Sequence, residues 1–183
     1  MRFKLFSFVL ILLITLGCRQ EKTPELDRDI INLKLANYTR NFFVFERMRA
    51  YDKDTLETRM KQTLRLKDRV KDCSSPIVNL CILIDWKYSQ SQIIVEPNAY
   101  IKSPKEFEIL WRDMNGVRGL IFFEEGDRKK HLEFAAQVLD QLDRGCEFYL
   151  KQDSEYIPIL ADTISRKAFH ITMLDYYGLL KSL

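Results

Sequence analysis

The stretch IVNLCILIDW, Ile77–Trp86, governs how the rest of the chain is read. It is almost continuously apolar, rich in β-branched residues, and carries one charge, Asp85. Neither a period of 3.6 nor a period of 2 is visible in it, so it fits a buried helix or a central strand. The strand alternative brings a second strand near Gln92–Val95. Composition favours the helix. Six glycines and five prolines in 183 residues leave few tight turns, whereas a many-stranded sandwich wants turn residues about every 8–12 positions. The expectation is all-α: a single compact bundle of about six helices.

Helix starts are signalled outward from this segment. Thr23-Pro24, Ser75-Pro76 and Ser103-Pro104 each place a hydroxyl cap before a proline at the first helical position, where the missing N–H costs nothing. Glu106 completes a capping box with Ser103, and Glu57 with Asp54 resembles one. The spacing predicts helices over 24–50, 55–72, 104–123, 127–151 and from 154 to the end. The cleanest apolar stripe is Leu132, Ala135, Leu139, Leu142, Cys146 and Tyr149. The last helix carries Ile157, Leu160, Ile164, Ala168 and Ile171, with Pro158 tolerated in its first turn. Wide apolar faces make these two helices central.

The amino terminus has its own pattern. Arg2 and Lys4 precede Leu5–Leu16, which holds no charge. As a helix that run reaches only roughly 18 Å against a hydrocarbon core of ~30 Å, so it reads as an export leader rather than a span. The leader ends Leu16-Gly17-Cys18. In these residues it resembles the lipobox of bacterial lipoproteins, a likeness confined to residues 1–18. The resemblance implies cleavage before Cys18, a diacylglyceryl group on its sulfur and acylation of the new amino terminus. It gives three parts: signal peptide 1–17, lipidated cysteine and tether 18–23, and helical domain 24–183. The implied partner is a membrane, held through Cys18, and two or three acyl chains suffice for stable anchoring. Arg19, not aspartate, follows the cysteine. By the habit of enteric lipoproteins this implies the outer membrane, on its periplasmic or outward face. The short tether keeps the fold within roughly 20 Å of the bilayer.

Of 29 basic and 26 acidic side chains, Arg2 and Lys4 leave with the leader. The remaining charge is close to neutral and exerts no general pull on nucleic acid. Export permits disulfides, and Cys73 and Cys81 flank the Ser74-Ser75-Pro76 turn as the candidate pair, the alternative being plain buried thiols. Cys146 is left over. No C-x-x-C occurs, and neither metal nor cofactor is expected.

Four constellations each admit a functional and a structural account. Lys61, Arg65 and Arg69, at i, i+4 spacing on a predicted helix, could meet anionic headgroups or an acidic partner. Interleaved Glu57, Asp68 and Asp72 make a solvated face the alternative. Glu124, Glu125, Asp127 and His131 could hold a divalent ion, or could simply serve a helix start. Ser165, His170 and Asp175 share one predicted helix and lack a G-x-S-x-G elbow. Phe42, Phe43, Phe45, Phe107, Trp111, Phe122, Phe123, Phe134 and Phe148 could line an apolar cavity or form core. The resulting expectation is a non-enzymatic binding or interaction module at the envelope, with an unidentified envelope protein or apolar ligand as partner. Its competitors are a carrier of lipid within the bundle and an envelope hydrolase or metal enzyme.

Overall fold

The computed structural model describes residues 41–55, 60–72 and 74–180. The expected helix over 24–50 and the leader lie mostly or wholly outside them. Residues Phe43–Arg47 and Met48–Ala50 form a π turn and a 3₁₀ turn. They lead into four antiparallel strands in sequential order: β1 (Tyr51–Thr55), β2 (Lys61–Leu66), β3 (Val78–Asp85) and β4 (Gln90–Pro97). A second antiparallel sheet, ordered β6-β5-β7-β8, comprises β5 (Glu106–Arg112), β6 (Arg118–Glu124), β7 (Glu147–Gln152) and β8 (Glu155–Ile159). Helix α1 (Arg128–Asp143) connects β6 to β7, and α2 (Thr163–Leu180) follows β8.

The all-α bundle is therefore wrong, and Ile77–Trp86 is where it fails. The stretch is a strand at the centre of a sheet, β3, hydrogen-bonded to β2 on one side and β4 on the other. Val78, Leu80, Ile82 and Ile84 are buried on one face, while Cys81 is buried on the other. Buried Cys81 and half-buried Leu83 on the outward face interrupt the apolar–polar alternation by which a strand announces itself. The inference from scarce glycine fails for a related reason, because several turns are made without it. Asp85 accepts from the N–H groups of Lys87 and Tyr88 at 3.1 and 3.3 Å, and Ser89 takes the left-handed conformation with φ 49°. Asp153, φ 56°, turns β7 into β8 in the same way.

The expected helix over 55–72 is replaced by the end of β1, by β2 and by the turn after it. That over 104–123 is the β5–β6 hairpin, in which Phe107 and Ile109 point inward between Glu106 and Glu108. Its turn is set by Asp113, whose carboxylate accepts from Asn115 and Val117 N–H at 2.9 and 2.7 Å, and by Gly116 at φ 83°. Asn-Gly at such a place is a hairpin signal that the helical pattern overrode. The helix expected at 127–151 exists but stops at Asp143. Gly145 adopts φ 76°, and the N–H groups of Gly145 and Cys146 close back on Leu142 and Gln141, a left-handed C-terminal cap. The helix expected from 154 begins only at Thr163, after β8.

Both helices cover inward sheet faces. Helix α2 packs on β3 and β4, while α1 packs on β4, on β6 and on α2. Phe107 and Phe123 of the second sheet meet Phe134 of α1 at ring-centroid distances of 5.6 and 5.1 Å. The segment before β1 is tied to α2 by Asp175, which accepts two bonds from Arg47 at 2.8 and 2.9 Å and one from the Tyr51 hydroxyl at 2.7 Å. Burial, first, and Asp175, second, hold the Tyr51 phenol well above its ordinary range.

Gly119 has a packing role. The Trp111 indole of β5 lies across its backbone, so a Cβ at 119 would sit 2.7 Å from Trp111 Cζ2. Gly119→Val forces the indole out. The expected loss is about 1–3 kcal/mol, read as a lower urea midpoint with altered tryptophan fluorescence.

Candidate functional site

The outward face of the first sheet gathers Lys61 and Arg65, now by the two-residue period of β2 rather than by a helical one. Arg69 follows in the turn after the strand. Each has acidic company from a neighbouring segment. Arg65 donates through Nε and Nη2 to Glu96 of β4 at 2.6–2.9 Å and through Nη1 to Asp54 of β1. Arg69 donates to Asp52 at 2.8 Å, and Lys61 lies 3.7 Å from Asp85. The Glu96 carboxylate raises the Arg65 guanidinium above its already high value. Bonds from Arg69 and then Lys71 hold the Asp52 carboxyl low. The result is a lattice of alternating charge across four strands.

Beneath Arg65 lies Cys81, its register partner on β3, with 1% of its surface exposed. Burial first, and the Glu96 charge second, push this thiol well above its ordinary range. It is a free, protonated thiol and a poor nucleophile. Cys73, the other half of the candidate disulfide, lies outside the described residues, as does Cys18. Cys146 is a free buried thiol at the start of the second half of the second sheet.

The acidic group at 124–131 disperses on folding. Glu124 pairs with Lys130 at 2.7 Å and Glu125 with Lys105 at 3.6 Å. Asp127 caps α1, accepting from the N–H groups of Lys129 and Lys130. His131 turns inward, where its Nδ1 accepts the Val95 N–H at 3.1 Å. Ser165, His170 and Asp175 likewise separate. The Ser165 hydroxyl donates to the Asp162 carbonyl, His170 Nε2 lies 3.2 Å from Asp143, and Asp175 serves Arg47 and Tyr51. Among the described residues no group of three His, Cys, Asp or Glu side chains is placed to hold a metal ion.

What sequence reasoning missed is the open edge of β4. The Asn98 N–H to Ile77 carbonyl bond fixes the alternation of the β3–β4 ladder, so residues 93, 95 and 97 direct their backbone outward. His131 of α1 takes the Val95 N–H, and the Tyr176 phenol of α2 faces the Ile93 backbone. Pro97 has no N–H to offer. Burial pushes the Tyr176 phenol up to about 12. No local signal reveals these bonds, since each joins residues far apart in the chain.

The aromatic residues do not form one lining. Phe43, Phe107, Phe123, Phe134 and Phe148 are buried, whereas Phe42, Phe45 and Phe122 are exposed. On the outward face of the second sheet Leu120, Phe122 and Tyr156 are exposed among the charge pairs Arg112–Glu147 and Lys151–Glu108. No protein-family model, curated protein or solved structure matches the chain.

His131 makes stability depend on pH. Burial holds its imidazole below the ordinary range against the opposing pull of Glu125 and Asp127, and a protonated Nδ1 cannot accept the Val95 N–H. The unfolded chain takes up the proton near pH 6.5. This contribution is therefore complete above about pH 6.5 and is lost as the pH falls below it. The urea midpoint of the wild type is expected to drop between pH 7.5 and 5.5 more steeply than that of His131→Gln.

Proposed function

We propose that this chain is an envelope lipoprotein, anchored through acylated Cys18, whose folded part is a non-enzymatic interaction module held beside a membrane. The observation that carries the anchor is the run from Arg2 to Cys18: basic residues, an uncharged apolar segment too short to span, and Leu-Gly before the cysteine. No described helix is long and apolar enough to cross a membrane. Activity confined to a surface suits a module that contacts other envelope components.

The interaction role is supported by how the chemically capable groups are used. The hydrolase or metal-enzyme alternative needed Glu125, Asp127, His131 and His170 to converge. They bond instead to Lys105, the start of α1, Val95 and Asp143, respectively. Carriage of lipid inside a helical bundle loses its framework along with the bundle.

The anchor is tested on protein from cells that process lipoproteins. Wild type is expected in the detergent phase of a Triton X-114 partition, with an amino-terminal peptide that begins at a diacylglyceryl-modified Cys18. Cys18→Ser is expected in the aqueous phase. A wild-type chain that begins at Met1, or whose Cys18 carries no lipid, refutes the anchor.

A further inference from the structure

The four sheet edges of the described fold are not treated alike. An open strand edge presents unpaired N–H and C=O groups, and proteins blunt it with short charged strands, prolines or covering side chains. Strand β1 is short and carries Asp52, Lys53 and Asp54. Strand β4 is covered by His131 and Tyr176 and ends in Pro97. Strand β8 contains Pro158. Strand β6, RGLIFFE, is a seven-residue edge with no proline and with charges only at its two ends.

The direction of its backbone groups follows from the hairpin. Asp113 N–H donates to Val117 at 2.9 Å, and Glu125 N–H donates to Lys105 at 2.6 Å. These bonds fix the alternation from both ends. Gly119, Ile121 and Phe123 exchange bonds with β5, so Arg118, Leu120, Phe122 and Glu124 turn their N–H and C=O outward. Among the described residues no group accepts a hydrogen bond from those four outward N–H groups. Their side chains all lie on the outward face. Leu120 and Phe122 are 48% and 63% exposed, and Arg118 and Glu124 are exposed at the two ends.

The strand is also complementary to itself. Laid antiparallel against a second copy about a two-fold axis at Ile121, Arg118 stands opposite Glu124, Leu120 opposite Phe122, and the same two pairs recur on the other side. Opposite charges and apolar partners therefore face each other at every outward position. Each of these pairs can exchange two backbone bonds, about eight in all. The axis makes the contact isologous and closed, and the far edges of the joined sheet are the β8 strands, where Pro158 stops further growth.

We propose that β6 is a homodimerisation edge, and that two copies of this chain join their four-stranded sheets into one continuous sheet through antiparallel β6–β6 pairing. The proposal goes beyond membrane tethering and does not depend on it. Glu124 also reaches Lys130 at 2.7 Å, and that surface contact must share the carboxylate with the incoming Arg118.

The test is sedimentation equilibrium of the full chain in a density-matched non-ionic detergent, with circular dichroism to check folding. Wild type is expected to be dimeric. Arg118→Glu and Glu124→Arg each set like charges opposite one another twice and should weaken the dimer about tenfold or more. Mixing the two single variants should restore a dimer, now a heterodimer, because each supplies the charges the other lacks. Chance sharing of a micelle would be indifferent to these changes. Leu120→Pro removes an outward N–H without touching a bond to β5, and should yield a folded monomer. A wild type that is monomeric at about 100 µM, including one whose edge is covered by another segment of its own chain, overturns the proposal. So do single variants that remain dimeric, or a mixture that stays monomeric.

Discussion

Every β-sheet ends in strands whose outward N–H and C=O groups lack a strand partner, and the placement of the two helices answers that constraint. The edge of β4 receives a ring nitrogen from α1 and a phenol from α2. Its inward face, through Ile93 and Val95, contributes to the buried core. Both helices are thus fixed to β4 by polar contact and to the sheets by apolar contact. A buried backbone N–H without a partner costs more than an ordinary hydrogen bond contributes, which explains why a histidine and a tyrosine occupy positions that could otherwise be wholly apolar.

The same helices tie the halves of the fold together. Helix α1 shares an aromatic cluster with the second sheet through Phe107, Phe123 and Phe134, and the cluster extends to His131 through Phe123 at 5.3 Å. Helix α2 holds the entry to β1 through Asp175 and reaches the second sheet through Arg166, which donates to the Cys146 carbonyl at 2.9 Å and lies over the Phe148 ring. The polar side chains with the greatest chemical capacity are thereby committed to architecture. The first sheet is neutralised by its charge lattice, while among the described residues the second has apolar side chains on its outward face and β6 as an edge strand.

Particular local features were open to reading from the sequence. Asp127 as a helix start, the stripe through Ala135 and Leu139, and the helical character of the final segment all survive in α1 and α2, because capping and the 3.6-residue period act over a few residues. The hairpin at Asn115-Gly116 was signalled but outweighed by neighbouring apolar spacing. The turn at Ser89 was not signalled, because serine rarely adopts positive φ, whereas Asp153, of a type that tolerates it, falls between the two helices expected at 127–151 and from 154. Among the candidate site residues, Lys61 and Arg65 do share a face, though a strand puts them on it. The separation of His131 from His170 depends on packing that no spacing encodes.

By itself the sequence determined the basic-then-apolar order of residues 1–18, the near balance of acidic and basic side chains after it, and the two helices near the carboxyl terminus, since each depends on neighbours in the chain. Tertiary structure alone decided that Val78–Asp85 is a central strand, that a histidine and a tyrosine cover one sheet edge, and that β6 has no strand beyond it among the described residues. A strand with apolar residues on its outward face as well loses its period, and its hydrogen bonds go to strands that only folding brings beside it. Only the assembled sheet determines which backbone groups are paired and which face outward.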